Sequence, residues 1–317
     1  MKSKFKIFII ILDILFLPLI ILSGVFFRTI RKIGLSKFTL SKRSLFKIGV
    51  FPITKHYYEP NFDYRGKAHL LTKKRELKGI NFDEKKQFAF LKNLNFKSEI
   101  ISIPYSKTSK REFFINNGAF CEGDAEYWYQ IIRYLKPKNI IEIGSGFSTL
   151  MAIKAINKNK SEGFNCELTC IEPFEMPWLK NMNVNLIRKK VENIELSFFE
   201  KLNENDILFI DSSHMINPTG DVLYEYLHIL PSLNKGVYVH LHDICTPYHY
   251  PIKWYTESFR FWNEQYLLEA FLTNNSNWEI IGSLCYLQKD YHEILKKVSP
   301  FLNKEDEVGS FYIKKIK

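Results

Sequence analysis

Two short polar clusters in the second half of the chain combine imidazoles with carboxylates. The first is Asp211-Ser212-Ser213-His214 and the second is His240-Leu241-His242-Asp243, and each ends a run of apolar residues. A histidine titrates near neutral pH and can take a proton, whereas a carboxylate can bind a metal ion or orient an imidazole. We therefore predict catalytic roles for His214, His242 and Asp243, and expect His240 to be a buried structural histidine. Whether a base alone or a bound metal activates the reacting group stays open.

A glycine-containing loop lies upstream of both clusters, in residues 138–150, K-N-I-I-E-I-G-S-G-F-S-T-L. The apolar run before the glycines predicts a short buried parallel strand, and the run after them predicts a helix. Gly144 and Gly146 allow a sharp turn and leave room for a ligand at the positive amino end of that helix. Thr149 stands where a dinucleotide fingerprint needs glycine or alanine, and no Gly-Lys-Ser or Gly-Lys-Thr phosphate loop is present. The loop therefore predicts a nucleotide-type ligand of another kind.

The segment E-I-G-S-G-F-S at residues 142–148 resembles the first motif of class I S-adenosylmethionine-dependent methyltransferases. This resemblance implies that the loop lies against the methionine part of the cofactor, with the Glu142 carboxylate facing its ammonium group. The next predicted strand ends in Glu172, where the family's acidic residue accepts hydrogen bonds from the ribose diol. The cofactor-binding residues expected from this resemblance are Glu142, Gly144, Ser145, Gly146, Ser148, Glu172 and Asp211.

The two polar clusters resemble the strand ends of metal-dependent catechol and caffeoyl type O-methyltransferases, which read Asp-x-x-Lys and Asp-Asn. The resemblance implies a metal-ligating carboxylate at Asp211, a base at His214 in place of the lysine, and ligands at His242 and Asp243. The metal set is thus Asp211, His242 and Asp243. A histidine ligand shifts the preference from magnesium toward manganese, iron or zinc. If no metal binds, His214 or His242 is the base and Asp243 orients an imidazole or the acceptor.

The rest of the sequence predicts the elements that position these residues. Strands alternate with helices, which is typical of a doubly wound parallel sheet with its ligand crevice at the carboxyl ends of the strands. We predict an α/β fold with a seven-stranded, mostly parallel sheet, Rossmann-like as in the methyltransferases. Its last two strands are expected to form an antiparallel edge with no helix of ordinary length between them. The predicted strands are 139–143, 168–171, 184–188, 206–210, 236–241, 278–287 and 311–316.

The positive charge of the chain is concentrated near its beginning. Residues 1–78 hold 17 Lys and Arg against four acids, whereas the other 239 residues hold 28 Lys and Arg against 30 acids. A nucleic-acid substrate needs a basic face beside the reacting site, so this distribution argues against nucleic acid as a partner. The five cysteines form no Cys-x-x-Cys pair, and we expect reduced thiols in a cytosolic domain.

The apolar run from Ile7 to Phe27 predicts a membrane segment, because a helix of that length covers roughly 30 Å. Basic residues flank the run and are more numerous after it, which places the following domain in the cytoplasm. A cleaved signal peptide is one alternative. Another is a re-entrant helix, since Asp13 with Pro18 resembles the broken membrane helix of bacterial phosphoglycosyl transferases. We therefore divide the chain into a membrane-associated helix at 1–33, a basic linker and extension at 34–122, and the cofactor-binding domain at 123–317.

Together these features predict a membrane-associated O-methyltransferase that uses S-adenosylmethionine, with a divalent metal as a further candidate cofactor. Its expected acceptor is a hydroxyl of a glycan or lipid-linked saccharide at the cytoplasmic membrane face, bounded by the aromatic segments 248–254 and 259–262. Two alternatives stay open. One is another S-adenosylmethionine- or nucleotide-binding enzyme on the same scaffold, and the other is a non-catalytic membrane-bound scaffold protein. The sequence fixes neither the acceptor nor the oligomeric state.

Overall fold

The computed structural model describes residues 2–34, 37–50, 68–109, 111–174, 176–258 and 260–317, and the chain forms two compact units, residues 1–68 and 69–317. The first unit contains helices α1 (Lys2–Ile33) and α2 (Thr39–Ile48). Between Phe5 and Ile33, α1 is long and apolar enough to cross a membrane, judged by length and composition alone. Most of its apolar side chains are exposed, whereas Ile30 near its end is buried, and Pro18 lies inside one continuous helix.

The second unit is built on a seven-stranded sheet with the order β3-β2-β1-β4-β5-β7-β6. All neighbouring strands are parallel except β7, which is antiparallel to both β5 and β6. The predicted seven-stranded, mostly parallel sheet is therefore confirmed. The strands are β1 (Asn139–Ile143), β2 (Glu167–Ile171), β3 (Asn185–Ile187), β4 (Ile207–Ile210), β5 (Tyr238–Leu241), β6 (Trp278–Ser283) and β7 (Phe311–Lys315).

The register places the carboxyl ends of four parallel strands at one edge of the sheet. Ile143 at the end of β1 pairs with Ile171 of β2 on one side and with Ile210 of β4 on the other. Ile210 in turn pairs with Leu241 at the end of β5. The loops that carry both polar clusters and both glycines therefore leave the sheet side by side, as expected for an open α/β sheet.

Helices cover both faces of the sheet, because alternate strand residues are apolar on each side. Helices α6, α7 and α12 pack on the face of Ile140 and Phe209, while the α8–α9 segment and α11 pack on the face of Ile141 and Leu208. A π-helical turn, Glu225–Ile229, joins α8 to α9. The helices are α3 (Ala68–Leu71), α4 (Glu84–Leu91), α5 (Lys97–Ile101), α6 (Asp124–Leu135), α7 (Phe147–Ser161), α8 (Asp221–Tyr224), α9 (Leu230–Ser232), α10 (Ile252–Thr256), α11 (Glu264–Leu272) and α12 (Leu284–Leu295).

One predicted boundary near the carboxyl end of the chain is wrong. The strand expected over 278–287 ends at Ser283, and the 12-residue helix α12 follows it directly. The expectation that no ordinary helix separates the last two strands therefore fails. The physical reason is that Leu284, Cys285 and Leu287 are buried on α12, so the apolar run continues across the change from strand to helix. Such a run does not show its period over so few residues.

The segment before α6 packs with the sheet domain. Gln87 on α4 accepts a hydrogen bond of 2.8 Å from the Ser283 backbone N–H, and Arg75 forms an ion pair with Glu269 on α11. Residues 69–122 thus lie in the same compact unit as the sheet, whereas the sequence grouped them with a linker. The predicted boundary between residues 122 and 123 stays a prediction.

Candidate active site

The glycine loop brings the ends of β1 and β4 into close contact. Gly144 has a φ of 75°, and a Cβ built on it lies 1.9 Å from the Asp211 carbonyl oxygen. The Asp211 N–H donates to the Ile143 carbonyl over 2.9 Å, which fixes this approach. A residue with a side chain is excluded at position 144 by both its backbone angle and its neighbour. Glycine here therefore serves the close packing of the loop at the mouth of the sheet.

Glu142 lies beneath this loop and is fully buried. Its two carboxylate oxygens accept hydrogen bonds from the Ser148 and Thr149 hydroxyls, both over 2.6 Å, and the Cys170 thiol lies 3.5 Å away. Burial raises the pKa of Glu142 to about 7, although the two hydroxyls act in the opposite direction. In this conformation Glu142 holds the first turn of α7. The predicted contact with the ammonium group of the cofactor stays a prediction.

Glu172 at the end of β2 lies beside the same loop. Its carboxylate accepts hydrogen bonds from the Ser145 backbone N–H at 3.3 Å and from the Phe174 N–H at 2.9 Å. A Cβ built on Gly146 meets only the Met176 methyl group, at 3.7 Å, so that side of the loop has open space. Six of the seven predicted cofactor residues therefore lie together at the ends of β1 and β2: Glu142, Gly144, Ser145, Gly146, Ser148 and Glu172.

The ends of β4 and β5 carry a second cluster, formed by Asp211, His214 and Asp243. The His214 Nε2 atom lies 3.2 Å from Asp211 Oδ1 and 3.6 Å from Asp243 Oδ2. One ligand atom from each of the three residues lies within 4.8 Å of the others, a spacing suited to a metal ion. His214 and Asp243 have φ angles of 58° and 55°. Non-glycine residues adopt this backbone region at a cost and are concentrated at functional sites.

Glu264, the first residue of α11, fixes the orientation of the His214 ring. The Nδ1–H of His214 donates to Glu264 Oε2 over 2.7 Å, and the Tyr226 hydroxyl donates to the other carboxylate oxygen over 3.0 Å. With Nδ1 held in this way, Nε2 faces the two aspartates. Sequence reasoning missed Glu264, because it lies fifty positions from His214 and has the ordinary look of an acid in the first turn of a helix.

The pKa values of the three clustered residues depend on one another, because their charges lie close together. Burial acts to lower the pKa of His214, but Asp211 and Glu264 outweigh it and hold that pKa well above its usual value. Burial acts to raise the pKa of Asp211, but His242 and His214 outweigh it and lower that pKa. Asp243 keeps a raised pKa because burial prevails there. A proton on Nε2 offsets part of the negative charge of the two carboxylates, and a divalent cation in its place would balance both charges.

His242 occupies a different position from the one predicted for a metal ligand. Its Nε2 atom lies 3.9 Å from Asp243 Oδ1, and its ring packs 5.0 Å from the Phe120 ring. The structure thus clusters His214, and not His242, with the two aspartates, because the turn after β4 carries His214 back across the strand ends. His240 is fully buried with Nε2 at 2.9 Å from the Ser310 hydroxyl, which suits the structural role expected for it.

Asp124, the first residue of α6, supports the same region from behind. Its carboxylate accepts hydrogen bonds from the backbone N–H groups of Gly309 at 3.0 Å and Ser310 at 2.8 Å. Gly309 packs against Asp243, since a Cβ built on it lies 3.0 Å from the Asp243 Cα. The observed contacts of Asp124 place the loop before β7 behind Asp243.

A cavity of about 890 Å³ opens beside the second cluster and is lined by Asp211, His214, His242 and Asp243. Its lining also includes Trp254, Arg260 and Trp262, so part of the aromatic segment predicted near the acceptor lines this space. Residue 259 lies outside the described residues. Of the predicted cofactor residues, the lining includes Asp211 alone. The cavity is thus a compartment on the β4–β5 side, adjacent to the glycine loop through the Gly144–Asp211 contact.

Comparison with known proteins agrees with this geometry. Residues 141–244 match a family model described as a methyltransferase domain. An uncharacterised protein of Archaeoglobus fulgidus is 32% identical over 139 residues, which is 42% of this chain and 62% of that protein. The chain thus spans about three fifths of the length of this relative. The predicted methyltransferase domain is confirmed by the family match, which runs from within β1 to just beyond the second polar cluster.

Solved structures give a weaker likeness. The plantazolicin methyltransferase BpumL with S-adenosylhomocysteine is 13% identical with a TM-score of 0.37, over 74% of this chain and 91% of that one. An O-methyltransferase from Bacillus cereus with S-adenosylhomocysteine is 11% identical with a TM-score of 0.35, over 72% and 91%. The cmcI-D160 protein with Mg and S-adenosylmethionine is 15% identical with a TM-score of 0.36, over 69% and 84%.

Proposed function

We propose that this methyltransferase transfers a methyl group from S-adenosylmethionine to a hydroxyl group of a glycan or lipid-linked saccharide at the cytoplasmic face of a membrane. The observation that carries the proposal is the cluster of Asp211, His214 and Asp243. It lies at the carboxyl ends of β4 and β5, next to the glycine loop, and lines a cavity of about 890 Å³. A hydroxyl entering that cavity meets charged groups able to position it and to take its proton.

The glycine loop fits the proposed cofactor. Gly144 brings the loop against β4, and among the described residues a Cβ built on Gly146 meets only the Met176 methyl group, which leaves space for a ligand at the amino end of α7. Glu172 is the carboxylate placed to accept hydrogen bonds from a diol, as the resemblance implied. S-adenosylmethionine, when bound, supplies an electrophilic methyl group on a sulfonium. The chain's residues must then orient an acceptor oxygen and remove its proton.

The cluster also fits a divalent cation. Asp211, His214 and Asp243 would hold it, with Glu264 fixing the His214 ring as carboxylates commonly do for metal-bound histidines. A cation there would lower the pKa of the acceptor hydroxyl. This ligand set contains His214, whereas the set implied by the sequence resemblance contains His242. His242 then stands beside Asp243 as the group that takes the proton.

The proton-accepting role is needed because oxygen gains a methyl group and must lose its hydrogen. The new bond joins the acceptor oxygen to the methyl carbon, the bond between that carbon and sulfur breaks, and the neutral thioether leaves. The hydroxyl proton passes to the His242–Asp243 pair, whose Nε2 and Oδ1 atoms lie 3.9 Å apart. The Asp124 carboxylate stabilises the charged form of His242, whose pKa its acidic neighbours raise against the effect of burial.

Incubation of the full chain with radiolabelled S-adenosylmethionine and fractionated membrane lipids and polysaccharides tests the proposal. We expect label in the saccharide of a polysaccharide or glycolipid fraction, loss of transfer after chelation by EDTA, and its return with Mn²⁺. Label found only in protein, or in lipid acyl chains, would contradict the acceptor class. Tight NAD binding without S-adenosylhomocysteine binding would favour another nucleotide-binding enzyme. An Asp243→Ala variant with unchanged biological activity would favour a non-catalytic scaffold.

The proposed location at the cytoplasmic face of the membrane is based on the charges of the first compact unit. Seven basic residues and no acid lie between positions 28 and 50, in the last turns of α1 and after it, and this is the flank expected to remain in the cytoplasm. We expect a carboxyl-terminal tag to resist protease in intact cells and to be cleaved after the membrane is permeabilised. Cleavage in intact cells would place the catalytic domain outside.

A further inference from the structure

Arg260 is held on an aromatic platform in the wall of the cavity. Its guanidinium carbon lies 4.8 Å from the Trp262 ring centre and 5.7 Å from the Trp254 ring centre. The two indoles meet edge to face with centroids 5.1 Å apart, and all three residues line the cavity. The Arg260 backbone N–H donates to the Trp254 carbonyl over 2.8 Å. The side chain is thus positioned by ring contacts, which stabilise a cation by cation–π attraction.

The other basic side chains of this wall are already engaged. Lys253 pairs with Glu307 at 2.9 Å, Lys304 pairs with Glu293 at 3.6 Å, and Lys289 lies 4.1 Å from the Tyr248 ring centre. Among the residues that the structure describes, no carboxylate oxygen lies within 4.0 Å of the Arg260 guanidinium. The acids nearest the reacting centre, Asp211 and Asp243, face His214 instead. Within the described part of the chain, Arg260 is therefore a cavity cation with no carboxylate in ion-pair contact, although it interacts electrostatically with Asp243 at longer range.

A guanidinium stacked on an aromatic ring keeps its N–H edge available. That edge is a planar fork of donors that matches the two oxygens of a carboxylate or phosphate group. An exposed lysine can attract the same anion only as a mobile point charge. Holding the arginine on two indoles also reduces the side-chain entropy that binding would otherwise cost. The platform therefore favours an oxyanion in a defined place.

Trp262 links this platform to the reacting centre. The Arg260 guanidinium carbon lies 4.8 Å from the Trp262 ring centre, and the His214 ring centre lies 4.2 Å from it. An oxyanion held by Arg260 and a hydroxyl beside His214 would therefore both lie next to the same indole, so that one small acceptor unit can reach both.

We propose that Arg260, Trp254 and Trp262 form an anion subsite for the acceptor. The acceptor is a saccharide unit that carries a carboxylate or phosphate group within one sugar ring of the hydroxyl to be methylated. This inference rests on the proposed function for the saccharide itself, and it adds the charge and its position.

Calorimetric titration of the full chain in detergent, saturated with S-adenosylhomocysteine, tests the subsite. The probes are D-glucuronate, D-glucose 1-phosphate and neutral D-glucose. We expect at least one anionic sugar to bind tenfold or more tightly than glucose, and Arg260→Gln to reduce that preference to less than twofold. Arg260→Lys should keep a reduced preference, since it retains the charge without the planar fork. Lys289→Gln, a change at another cavity cation, should leave the preference intact.

The outcomes separate the two anion sources and the two proposals. Preference for glucuronate alone assigns a carboxylate, and preference for the phosphate alone assigns a phosphoryl group. Equal binding of all three sugars, or a preference that survives in both Arg260 variants, overturns the subsite. Titration of S-adenosylhomocysteine into the same preparations reports the cofactor site separately. A chain that binds the anionic sugars but not the cofactor therefore contradicts the methyltransferase proposal alone.

Discussion

The two ends of the candidate site are built in different ways. At the cofactor edge, formed by the loops after β1 and β2, the hydrogen bonds described for the Glu142 and Glu172 carboxylates all come from one stretch, residues 142–174. The catalytic edge, formed by the loops after β4 and β5, depends on Asp124, Glu264 and Gly309, which come from three distant parts of the chain. A local stretch can encode its geometry in a short motif. A site assembled from distant segments can be encoded only by the whole fold.

The two edges also differ in their backbone strain. On the cofactor edge, Gly144 takes a left-handed position without penalty, and Met176, with a φ of 51°, is a non-glycine residue in that region. On the catalytic edge His214 and Asp243 take such positions, at a cost of about 1–3 kcal/mol each. Two N–H groups, those of Asn263 and Glu264, donate to the His214 carbonyl and hold it in place. The catalytic edge is thus the part of the site that tertiary packing must stabilise.

Replacing His214 by Asn should have the largest effect on activity. Asparagine tolerates the left-handed backbone better than other residues, so the turn should persist while the imidazole is lost. We expect kcat for methyl transfer to fall by about 10²- to 10⁴-fold, with the affinity for S-adenosylhomocysteine within threefold of the original. His228→Asn, at an exposed histidine, is the matched control and should be silent. A parallel loss of cofactor binding would show that the two edges are not separable.

Replacing Gly144 by Ala should damage the cofactor edge. The new Cβ would meet the Asp211 carbonyl oxygen in a backbone region that alanine avoids. We expect a loss of about 2–5 kcal/mol in the free energy of unfolding, combining overpacking with strain. Denaturant unfolding of the full chain in detergent measures it.

Gly163→Ala provides the control for that change. Gly163 has a φ of 89° but nothing within 4 Å of an added Cβ, so it carries the strain without the collision. Its replacement should cost only about 1–2 kcal/mol. If the two variants lose equal stability, the close approach of Gly144 to β4 contributes nothing, and the contact between the two edges is not tight.

The same contrast explains what the sequence could reveal about the fold. Strands β1 and β4 are five and four residues long, mostly apolar and bounded by turns, so their limits are visible locally. The run that begins at Trp278 is apolar through both β6 and the start of α12, and nothing local marks the change. Only the pairing of β6 with β7 ends the strand at Ser283.

The same difference between local and distant contacts explains which site residues the sequence could predict. The motif alone predicts the glycine loop. The burial of Glu142 depends on the sheet, because Glu142 alternates with Ile141 and Ile143 and therefore points to the face opposite the one on which they pack. The position of His214, and not His242, beside both Asp211 and Asp243 depends on how the turn after β4 folds back. Glu264 gave no signal at all, because its partner is fifty residues away. Contacts of that kind require the assembled structure.

The pH dependence of stability offers a sharper test of the cofactor edge. Burial raises the pKa of Glu142 from 4.5 to about 7, so the folded state holds this proton more tightly than the unfolded state. The stabilising contribution of the proton is complete below pH 4.5 and is lost as the pH rises toward 7. At about 1.4 kcal/mol per pKa unit, the loss totals about 3 kcal/mol. In Glu142→Gln this part of the decline in unfolding free energy should vanish.

Glu126 gives a matched comparison for Glu142, because burial raises its pKa to about 7 as well, on α6 and away from the glycine loop. Glu126→Gln should remove a similar part of the decline in unfolding free energy with rising pH, without changing cofactor affinity. Glu142→Gln should change both the pH dependence and the cofactor affinity. Unfolding curves between pH 4.5 and 8 measure the two shares. A Glu142→Gln curve parallel to that of the original protein would show that this carboxylate is ionised in its buried position.

Replacing Glu264 by Gln should produce the smallest of these effects and the most informative one for the catalytic edge. The amide oxygen can still accept the Nδ1–H of His214, so the ring orientation should persist while the negative charge behind it is lost. Carboxylates in this position typically contribute 10- to 100-fold in metal affinity or activity. We expect kcat to fall by about that factor and the Mn²⁺ concentration for half-maximal activity to rise, with unfolding free energy nearly unchanged. Tyr226→Phe, which removes only the 3.0 Å hydrogen bond to Glu264, should cause a smaller loss in the same direction. If Glu264→Gln retains full activity and metal affinity while Glu264→Ala loses both, orientation alone is what α11 provides, and charge plays no part.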